Sequence, residues 1–291
     1  MDGILCLDKP QNMTSFQCCA MLRRLAGEKK VGHAGTLDPM ATGVLPLLFG
    51  RATRALELLP VHDKRYTATL RFGVVSDTLD MWGDVTETGV LPPSLEKIEA
   101  ALPAFRGKIR QIPPMMSALK RDGVRLYDLA RQGIEVEREA RSVMIYTLDI
   151  LSYQQGSGIL ALDCSCSRGT YIRTLCDDLG RMLGCGAVMT ALRRTEAAGI
   201  SLAQCVTLDE AKRSAENGTI AEHVMSVERV FDVYPSLTVT PAQAVRFGNG
   251  GALALDRLRT PVSGICRVYG PDGFLGLGKP ADGELKVWKL F

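Results

Sequence analysis

The sequence lacks any long uncharged stretch. None of its runs without Asp, Glu, Lys or Arg exceeds 13 residues, whereas a membrane-spanning helix needs about 20 predominantly apolar residues. Its first segment also lacks signal features, because only five residues separate Asp2 from Asp8 and no basic region precedes them. We therefore expect no transmembrane segment and no secretion signal, and we expect a cytoplasmic protein without a membrane partner.

Histidines are scarce, and the cysteines are poorly spaced for metal binding. The three histidines, His33, His62 and His223, lie far apart, and the nine cysteines form an odd-numbered set without a C-x-x-C pair. A disulfide framework uses an even number of cysteines, and a structural zinc site needs clustered ligands. The sequence argues against both, and we expect no bound metal.

Charge of one sign is not in large excess either. Thirty-five basic and 32 acidic side chains leave a net charge of +3, and 46% of the residues are hydrophobic. This composition is typical of an ordinary globular protein. The charge distribution is more informative, because residues 106–131 hold seven basic side chains against two acidic ones, and a second basic cluster lies at 23–30. Either cluster fits an RNA surface or a solvated face.

The hydrophobic patterns predict an α+β fold. Strict alternation over residues 64–72 is typical of a half-buried strand, and further strands are expected at about 142–152 and 158–166. Thr14 or Ser15 can cap one helix, and we expect Thr170 to cap another. Because strands and helices do not alternate as regular βαβ units, we expect a mixed, largely antiparallel sheet flanked by helices.

A domain boundary is predicted near Tyr234. Thr240-Pro241 starts a new helical pattern, and the remainder is rich in glycine with short strands at about 264–269 and 284–289. We therefore divide the chain into a large domain, residues 1–234, and a small β-rich domain, residues 235–291.

The turn-rich segment at residues 31–39 has the composition of a functional site. Gly35 permits a ligand to approach the backbone closely, and His33 offers a flat ring that could stack on a base. Pro39 stiffens the turn that carries the Asp38 carboxylate. Many aspartates before proline serve only their turn, however, and on the residues alone that alternative stays open.

Arg173 is a second candidate. It is predicted in the first turn of a helix, where a cation opposes the helix dipole by roughly 0.3–1 kcal/mol, so a compensating anion is expected. It lies off the apolar stripe and could reach a carboxylate or phosphate, although a plain surface arginine is the alternative. Asp77, Asp80 and Asp84 could collect a divalent ion, but acidic residues are common in any solvated loop.

Four segments resemble, in the right order, the motifs of the TruB-type family of tRNA pseudouridine synthases. They are Leu5–Pro10, Gly35–Pro46, Lys64–Tyr66 and Gly169–Arg173. The likeness runs from about residue 3 to 200, and the tail is similar to the family's PUA-like RNA-binding domain. One departure is Arg168, which stands where lysine is common in the family. Four motifs in register are far more specific than one.

The resemblance implies an isomerase that converts a uridine in the T arm of tRNA, position 55 in tRNA numbering, to pseudouridine without a cofactor. It implies that Asp38 is the nucleophile, that Arg173 is its ion-pair partner, and that Tyr66 stacks against the target base. The base must leave its stack to react, so base flipping is expected. The expected partner is tRNA, and the expected state is monomeric.

The resemblance also assigns contact roles to five further residues. His33 would enter the T loop and hold it open, while Tyr171 and Leu192 would line the base pocket. Lys9 would support the catalytic loop, and Asp80 matches an acidic position near the RNA.

Two other classes of function stay open on the residues alone. A noncatalytic RNA-binding or RNA-folding protein would explain the basic segments, but it gives no reason for the settings of Asp38 and Arg173. A metal-dependent phosphohydrolase would use Asp38 with Asp77 and Asp80, and it would require added magnesium.

Overall fold

The computed structural model describes residues 1–291, which form six α-helices and nineteen β-strands. The helices are α1 (Ser15–Leu25), α2 (Leu95–Ala101), α3 (Leu126–Ala130), α4 (Ile172–Met182), α5 (Leu208–Glu216) and α6 (Pro241–Gly248). The strands are β1 (Gly3–Lys9), β2 (Val31–His33), β3 (Thr42–Phe49), β4 (Lys64–Phe72), β5 (Val74–Ser76), β6 (Val85–Glu87), β7 (Gly107–Gln111), β8 (Lys120–Arg121), β9 (Val124–Arg125), β10 (Arg141–Gln154), β11 (Ile159–Cys166), β12 (Ala187–Ala197), β13 (Ile200–Ser201), β14 (Val206–Thr207), β15 (Ser236–Thr238), β16 (Leu253–Ala254), β17 (Cys266–Gly270), β18 (Gly273–Ala281) and β19 (Glu284–Leu290). None of the helices is both long enough and apolar enough to cross a membrane.

Ten strands form one large mixed sheet. Eight of them lie in the order β14, β1, β3, β12, β4, β11, β10 and β7, with β2 beside β3 and β13 beside β12. Only the pairs β1–β14 and β3–β12 are parallel, and the remaining pairs are antiparallel. The predicted mixed, largely antiparallel sheet flanked by helices is therefore confirmed.

Strand β4 has the bounds that its alternation predicts. Tyr66 and every second residue up to Phe72 are buried, whereas the residues between them are less buried. The strand lies between β11 and β12, which place Cys164 and Arg194 opposite Tyr66. Directly opposite residues on neighbouring strands share one face of a sheet, so this register determines what surrounds Tyr66.

Helix α1 begins after Thr14, which forms a reciprocal capping box with Gln17. The Gln17 amide donates to Thr14 Oγ1 at 3.1 Å, and the Thr14 amide donates to Gln17 Oε1 at 2.7 Å. Since Thr14 provides the cap, the hydroxyl of buried Ser15 is available for contacts outside the helix.

Helix α4 packs beside β12. Its buried apolar residues recur at helical spacing and are Ile172, Leu175, Cys176 and Leu179. Its N-cap residue is Tyr171 and not the predicted Thr170, whose hydroxyl donates to the Ser167 carbonyl at 2.9 Å. That bond closes the turn before the helix, so the prediction is wrong by one residue.

The C-terminal residues form a second sheet, in the order β15, β17, β18, β19 and β16. Helix α6 starts at Pro241 with Thr240 as its cap, as the sequence predicts. Leu277 of this sheet packs in the same apolar cluster as Ile4, Val44 and Phe231. The tail therefore shares a core with β1 and β3, and the division at 234/235 stays a prediction.

Gly43, at the pairing of β3 with β12, generates the first testable prediction. Its φ is +102°, and an added Cβ would lie 2.1 Å from the Arg194 carbonyl oxygen, a backbone atom that cannot move aside cheaply. We expect Gly43→Ala to lower the free energy of unfolding by about 2–4 kcal/mol, measured by urea denaturation.

The control for this prediction is Gly156→Ala, because a Cβ at Gly156 would meet nothing within 4 Å and its φ is not left-handed. This variant should change the free energy of unfolding by no more than about 0.5 kcal/mol. Equal stabilities of the two variants would contradict the close contact between β3 and β12.

Candidate active site

A recessed cavity of about 320 Å³ opens where β4, β12 and the start of α4 meet the loop between β2 and β3. Five of the predicted site residues line it, namely Asp38, Tyr66, Tyr171, Arg173 and Leu192. Asp38 lies in the loop, and Tyr66 and Leu192 lie on the adjacent strands β4 and β12. Tyr171 and Arg173 lie at the start of α4. The fold thus gathers these residues from separate parts of the chain.

The loop that carries Asp38 is fixed by the hydroxyl of Ser15. This hydroxyl donates to the Leu37 carbonyl at 3.2 Å and accepts from the Leu37 amide at 2.9 Å. On the other side, the Ala41 amide donates to the Asp38 carbonyl at 3.0 Å. The backbone on both sides of Asp38 is therefore held by hydrogen bonds. The Asp38 side chain is 35% exposed and lines the cavity.

Lys9 lies beneath the same loop and is completely buried. Its Nζ donates to the carbonyls of Pro10, Met13 and Pro39 at 2.8, 2.6 and 3.2 Å, which satisfies all three donors of an ammonium. Burial lowers the pKa of Lys9 to about 8. Because Pro39 directly follows Asp38, this geometry fits the predicted support of the catalytic loop.

Arg173 is buried, not on the surface, and it makes the ion pair that the helix position predicts. Its Nε lies 3.0 Å from Asp38 Oδ2, and its Nη1 lies 3.6 Å from Asp80 Oδ2. Nη1 and Nη2 also donate to the carbonyls of Thr78 and Met116 at 3.0 and 2.7 Å. The planar guanidinium therefore links the nucleophile candidate to two other loops.

Asp80 lies next to Arg173 and has little exposed surface. It is 6% exposed and accepts from Thr78 Oγ1 at 2.7 Å and from the Trp82 amide at 3.0 Å. Asp80 therefore contacts Arg173 directly, and its predicted place near the RNA stays a prediction. The sequence did not predict the burial of Asp80, because this residue stands in an acidic loop of the kind that is usually solvated.

The acidic loop does not gather its aspartates around one point. Asp77 Oδ1 accepts from the Asp84 amide at 2.8 Å, while Asp80 pairs with Arg173. In residues 1–291, no group of three or more His, Cys, Asp or Glu side chains has the arrangement of metal ligands. The three aspartates serve different partners.

The electrostatic environment of Asp38 is mixed. Burial raises the pKa of the Asp38 carboxyl, the charge of Arg173 opposes this shift, and Asp80 adds to it. Arg173 is thus the main contact that favours the ionised form of Asp38.

Tyr66 and Leu192 form one wall of the cavity. They lie on the neighbouring strands β4 and β12, and they are 6% and 8% exposed. Burial raises the pKa of Tyr66 to about 12, so its hydroxyl stays protonated at neutral pH. A flat ring beside a leucine gives a surface on which a base can stack.

Tyr171 is held at the entrance of α4 by a buried glutamine. The side-chain amide of Gln111 donates to the Tyr171 carbonyl at 3.2 Å, and its oxygen accepts from the Tyr171 amide at 3.0 Å. Both bonds lie just before Arg173, so they fix the start of the helix that carries it. The sequence offered no signal for Gln111, because its role depends on β7 lying beside the helix end.

His33 is not among the residues that line the cavity. It ends β2, opposite Leu47 of β3, and its Nδ1 is buried without a hydrogen-bond partner. Burial lowers the pKa of His33, so the neutral ring is favoured. His33 precedes Asp38 by five residues in the chain but, like Lys9 and Asp80, does not line the cavity.

Arg194 is a buried residue near the site that the sequence analysis missed. It directly follows Arg193, and a pair of arginines resembles a solvated face. The alternation of β12 carried the signal, because Arg194 lies two residues after buried Leu192 and therefore on the same face.

Comparisons with known proteins show which sequences and structures this chain is similar to. A family model described as TruB family pseudouridylate synthase (N terminal domain) matches residues 23–172, and one described as tRNA pseudouridylate synthase B C-terminal domain matches residues 173–232. The tRNA pseudouridine synthase B of Dechloromonas aromatica (strain RCB) is 45% identical over 99% of this chain and 94% of the relative. That of Clostridium perfringens (strain 13 / Type A) is 39% identical over 100% of this chain and 99% of the relative.

Solved structures share the fold. A chain of a Cbf5-Nop10-Gar1 complex aligns with a TM-score of 0.74 at 24% identity, over 99% of this chain and 84% of that one. A chain of an H/ACA RNP bound to a substrate RNA containing 2′-deoxyuridine aligns with a TM-score of 0.73 at 22% identity, over the same shares. The family models and the close relatives together cover nearly the whole sequence. The chain therefore belongs to the TruB family of pseudouridylate synthases.

Proposed function

We propose that this protein converts a uridine in the T arm of tRNA, at position 55, to pseudouridine without a cofactor. The observation that carries the proposal is the ion pair between Arg173 Nε and Asp38 Oδ2, 3.0 Å apart, in the wall of a cavity that Tyr66 and Leu192 also line. Relatives of 39–45% identity that bear the name tRNA pseudouridine synthase B support tRNA as the substrate.

The reaction needs one bond to break and another to form on the same two rings. The bond between N1 and C1′ breaks, the uracil turns while it is bound, and C5 bonds to C1′. The hydrogen on C5 then leaves as a proton and N1 takes up a proton, so the composition of the nucleotide is unchanged. Asp38 supplies a carboxylate that attacks C6 of the base or C1′ of the ribose, or assists a glycal-like route. Each route begins with the ionised carboxylate that Arg173 orients.

The other cavity residues hold the base during its rotation. Tyr66 presents a neutral, buried ring, and Leu192 of the neighbouring strand lines the same cavity. Tyr171, at the start of α4, also lines the cavity. A detached uracil must stay in place between bond breaking and bond formation, and these side chains enclose it without ionising.

A base reaches this recess only when it has left its stack, so the proposal includes base flipping. Ser117, Ala118 and Leu119 line the cavity, and Lys120 and Arg121 follow them on the exposed side. All seven basic residues of segment 106–131 are exposed. Cations beside the cavity suit the phosphates that flank a flipped nucleotide.

The two alternative functions have less support. A noncatalytic RNA-binding protein would not need a nucleophile that is ion-paired at the wall of a base-sized cavity. A metal-dependent phosphohydrolase would need Asp77 and Asp80 to act with Asp38, but Asp80 pairs with Arg173 and Asp77 accepts from the Asp84 amide.

The nucleophile assignment predicts that Asp38→Asn loses activity but keeps its RNA affinity. The amide preserves shape and removes the nucleophilic charge. With a T-arm hairpin carrying tritium at uridine C5, we expect tritium release to fall more than about a hundredfold while the Kd stays within a few fold.

The control is Asp209→Asn, which removes an exposed carboxylate that pairs with Lys212 on α5, and it should leave the rate unchanged. Residual activity of Asp38→Asn above about a hundredth of wild type would defeat the assignment. Assays in EDTA should give the wild-type rate. A loss that magnesium restores, without a change in RNA folding, would favour the phosphohydrolase.

The geometry of Arg173 predicts that Arg173→Lys is severely impaired although it keeps the charge. A point ammonium cannot contact two carboxylates and two carbonyls in the plane of a guanidinium. We expect the single-turnover rate at saturating RNA to fall at least about a hundredfold.

Arg181→Lys is the matched control, because Arg181 lies on the same helix and pairs with Asp177 at 2.7 Å while remaining 73% exposed. It should retain its rate within about twofold, as exposed ion pairs contribute little. If Arg173→Lys turned over as fast as this control, the arginine would have no specific role in orienting Asp38.

We also propose that residues 235–291 form a PUA-like domain that adds affinity for tRNA. Removing the tail would expose the cluster in which Leu277 packs with Ile4 and Val44, so truncation is a poor test. Arg257 and Arg259 offer a gentler one, because both are exposed at the end of a short turn.

Replacing both Arg257 and Arg259 with alanine should weaken tRNA binding. It should also flatten the slope of log affinity against log salt by about 0.7–0.9 for each phosphate that the protein no longer neutralises. The rate at saturating tRNA should stay unchanged. Lys97→Ala, an exposed lysine on α2, should change neither quantity. An unchanged affinity and slope in the double variant would show that this part of the tail does not contact RNA.

A further inference from the structure

Arg194 is a cation whose position the catalytic ion pairs do not explain. Its side chain is completely buried in β12. The carboxylates of Asp38 and Asp80 both pair with Arg173, and no carboxylate forms an ion pair with Arg194. Burying a cation without a counter-ion is costly unless its hydrogen bonds are well satisfied. The hydrogen bonds that Arg194 makes therefore indicate its role.

These contacts join the two ends of the loop that carries Asp38. Arg194 Nε donates to the Val44 carbonyl at 2.7 Å, and Nη2 donates to the Gly35 carbonyl at 3.1 Å. One carbonyl precedes Asp38 by three residues, and the other follows it by six. Since a guanidinium is planar and rigid, it sets the distance between both ends of the loop.

The third nitrogen of Arg194 points into the interior. Nη1 is buried and has no hydrogen-bond partner. It lies 3.4 Å from the position that a Cβ on Gly35 would take, and Lys64 Cε is equally close to that position. On the sheet, Arg194 stands directly opposite Tyr66. A phosphate cannot contact an atom without accessible surface while the loop keeps this conformation, so the geometry favours positioning over anion binding.

We propose that Arg194 is a positioning residue that clamps both ends of the Asp38 loop and thereby sets the nucleophile against the target base. It acts through Gly35 and Val44 and does not touch the substrate. Gly35 itself lines the cavity, so movement of this end of the loop alters the cavity as well. The proposal rests on the proposed function for its kinetic consequence, but the clamp itself is a property of the free protein.

The kinetic test compares Arg194→Lys and Arg194→Met with wild type. Lysine keeps the charge but cannot bridge two carbonyls, and methionine keeps length without either property. A displacement of a reacting group by about 1 Å costs about a hundredfold in rate. We expect single-turnover tritium release at saturating RNA to fall at least that far in both variants, with the RNA Kd within threefold of wild type.

Arg71→Met is the matched control, because Arg71 is an arginine of the neighbouring strand β4 that pairs with exposed Glu87. It should keep the wild-type rate. Rates are measured well below the melting temperature of each variant, so that all molecules are folded. If Arg194→Lys kept the wild-type rate at saturating RNA and the wild-type affinity, the clamp would be overturned. If it kept that rate but bound RNA more weakly, with a flatter slope of log affinity against log salt, the clamp would also be overturned, and a phosphate contact would be favoured.

A second measurement reports on the loop without any substrate. The amides of Leu37 and Ala41 bond to Ser15 Oγ and to the Asp38 carbonyl, so their hydrogen exchange follows the order of the loop. We expect these amides to exchange at least about tenfold faster in Arg194→Lys, with no change in the β4–β11 pair.

The exchange measurement separates a clamp from a general structural role. Equal acceleration in all strands, or failure of Arg194→Lys to fold, would assign Arg194 to the stability of the sheet and overturn the proposal. An absence of tritium release from wild type would defeat the proposed function, whereas the exchange result would still decide whether Arg194 orders the loop.

Discussion

The charge balance around Asp38 is the constraint on which the site depends. Burial raises the pKa of this carboxyl, so the recess by itself favours the neutral form of Asp38. Arg173 opposes the shift by direct contact, and Lys9 secures the backbone of the next residue. Asp80 also contacts the guanidinium, but its negative charge adds to the rise in the pKa of Asp38. The charge of Arg173 is therefore the contact that most favours the ionised form of Asp38.

The order of the sheet puts these partners within reach. Strand β12 lies between β3 and β4, so one strand contacts both the end of the Asp38 loop and the strand of Tyr66. Helix α4 packs against β12 and carries Arg173 at its first turn. A shift of one residue in β12 would turn Leu192 and Arg194 away from the core. The cavity is thus a consequence of strand register.

The outer surface and the cavity are expected to contribute differently, the surface to RNA affinity and the cavity to the chemistry. Exposed cations border the cavity at Lys120 and Arg121, and the tail offers others at Arg257 and Arg259. Such groups attract phosphates without reading a base. The cavity walls are mostly neutral at the base itself, with Tyr66 and Leu192 on adjacent strands. Affinity for RNA and chemistry on the base are therefore expected to respond to different substitutions.

The sequence by itself determined the local secondary structure and the candidate residues for the chemistry. The alternation of β4, the cap of α1 and the loop motif around Asp38 are all short-range patterns, and they correspond to observed features. Tertiary structure alone decided which residues meet. Asp80 resembled a solvated acid and Arg194 a surface cation, yet both are buried, because their partners lie far away in the chain. Long-range pairing depends on sheet order and register, which local periodicity does not encode.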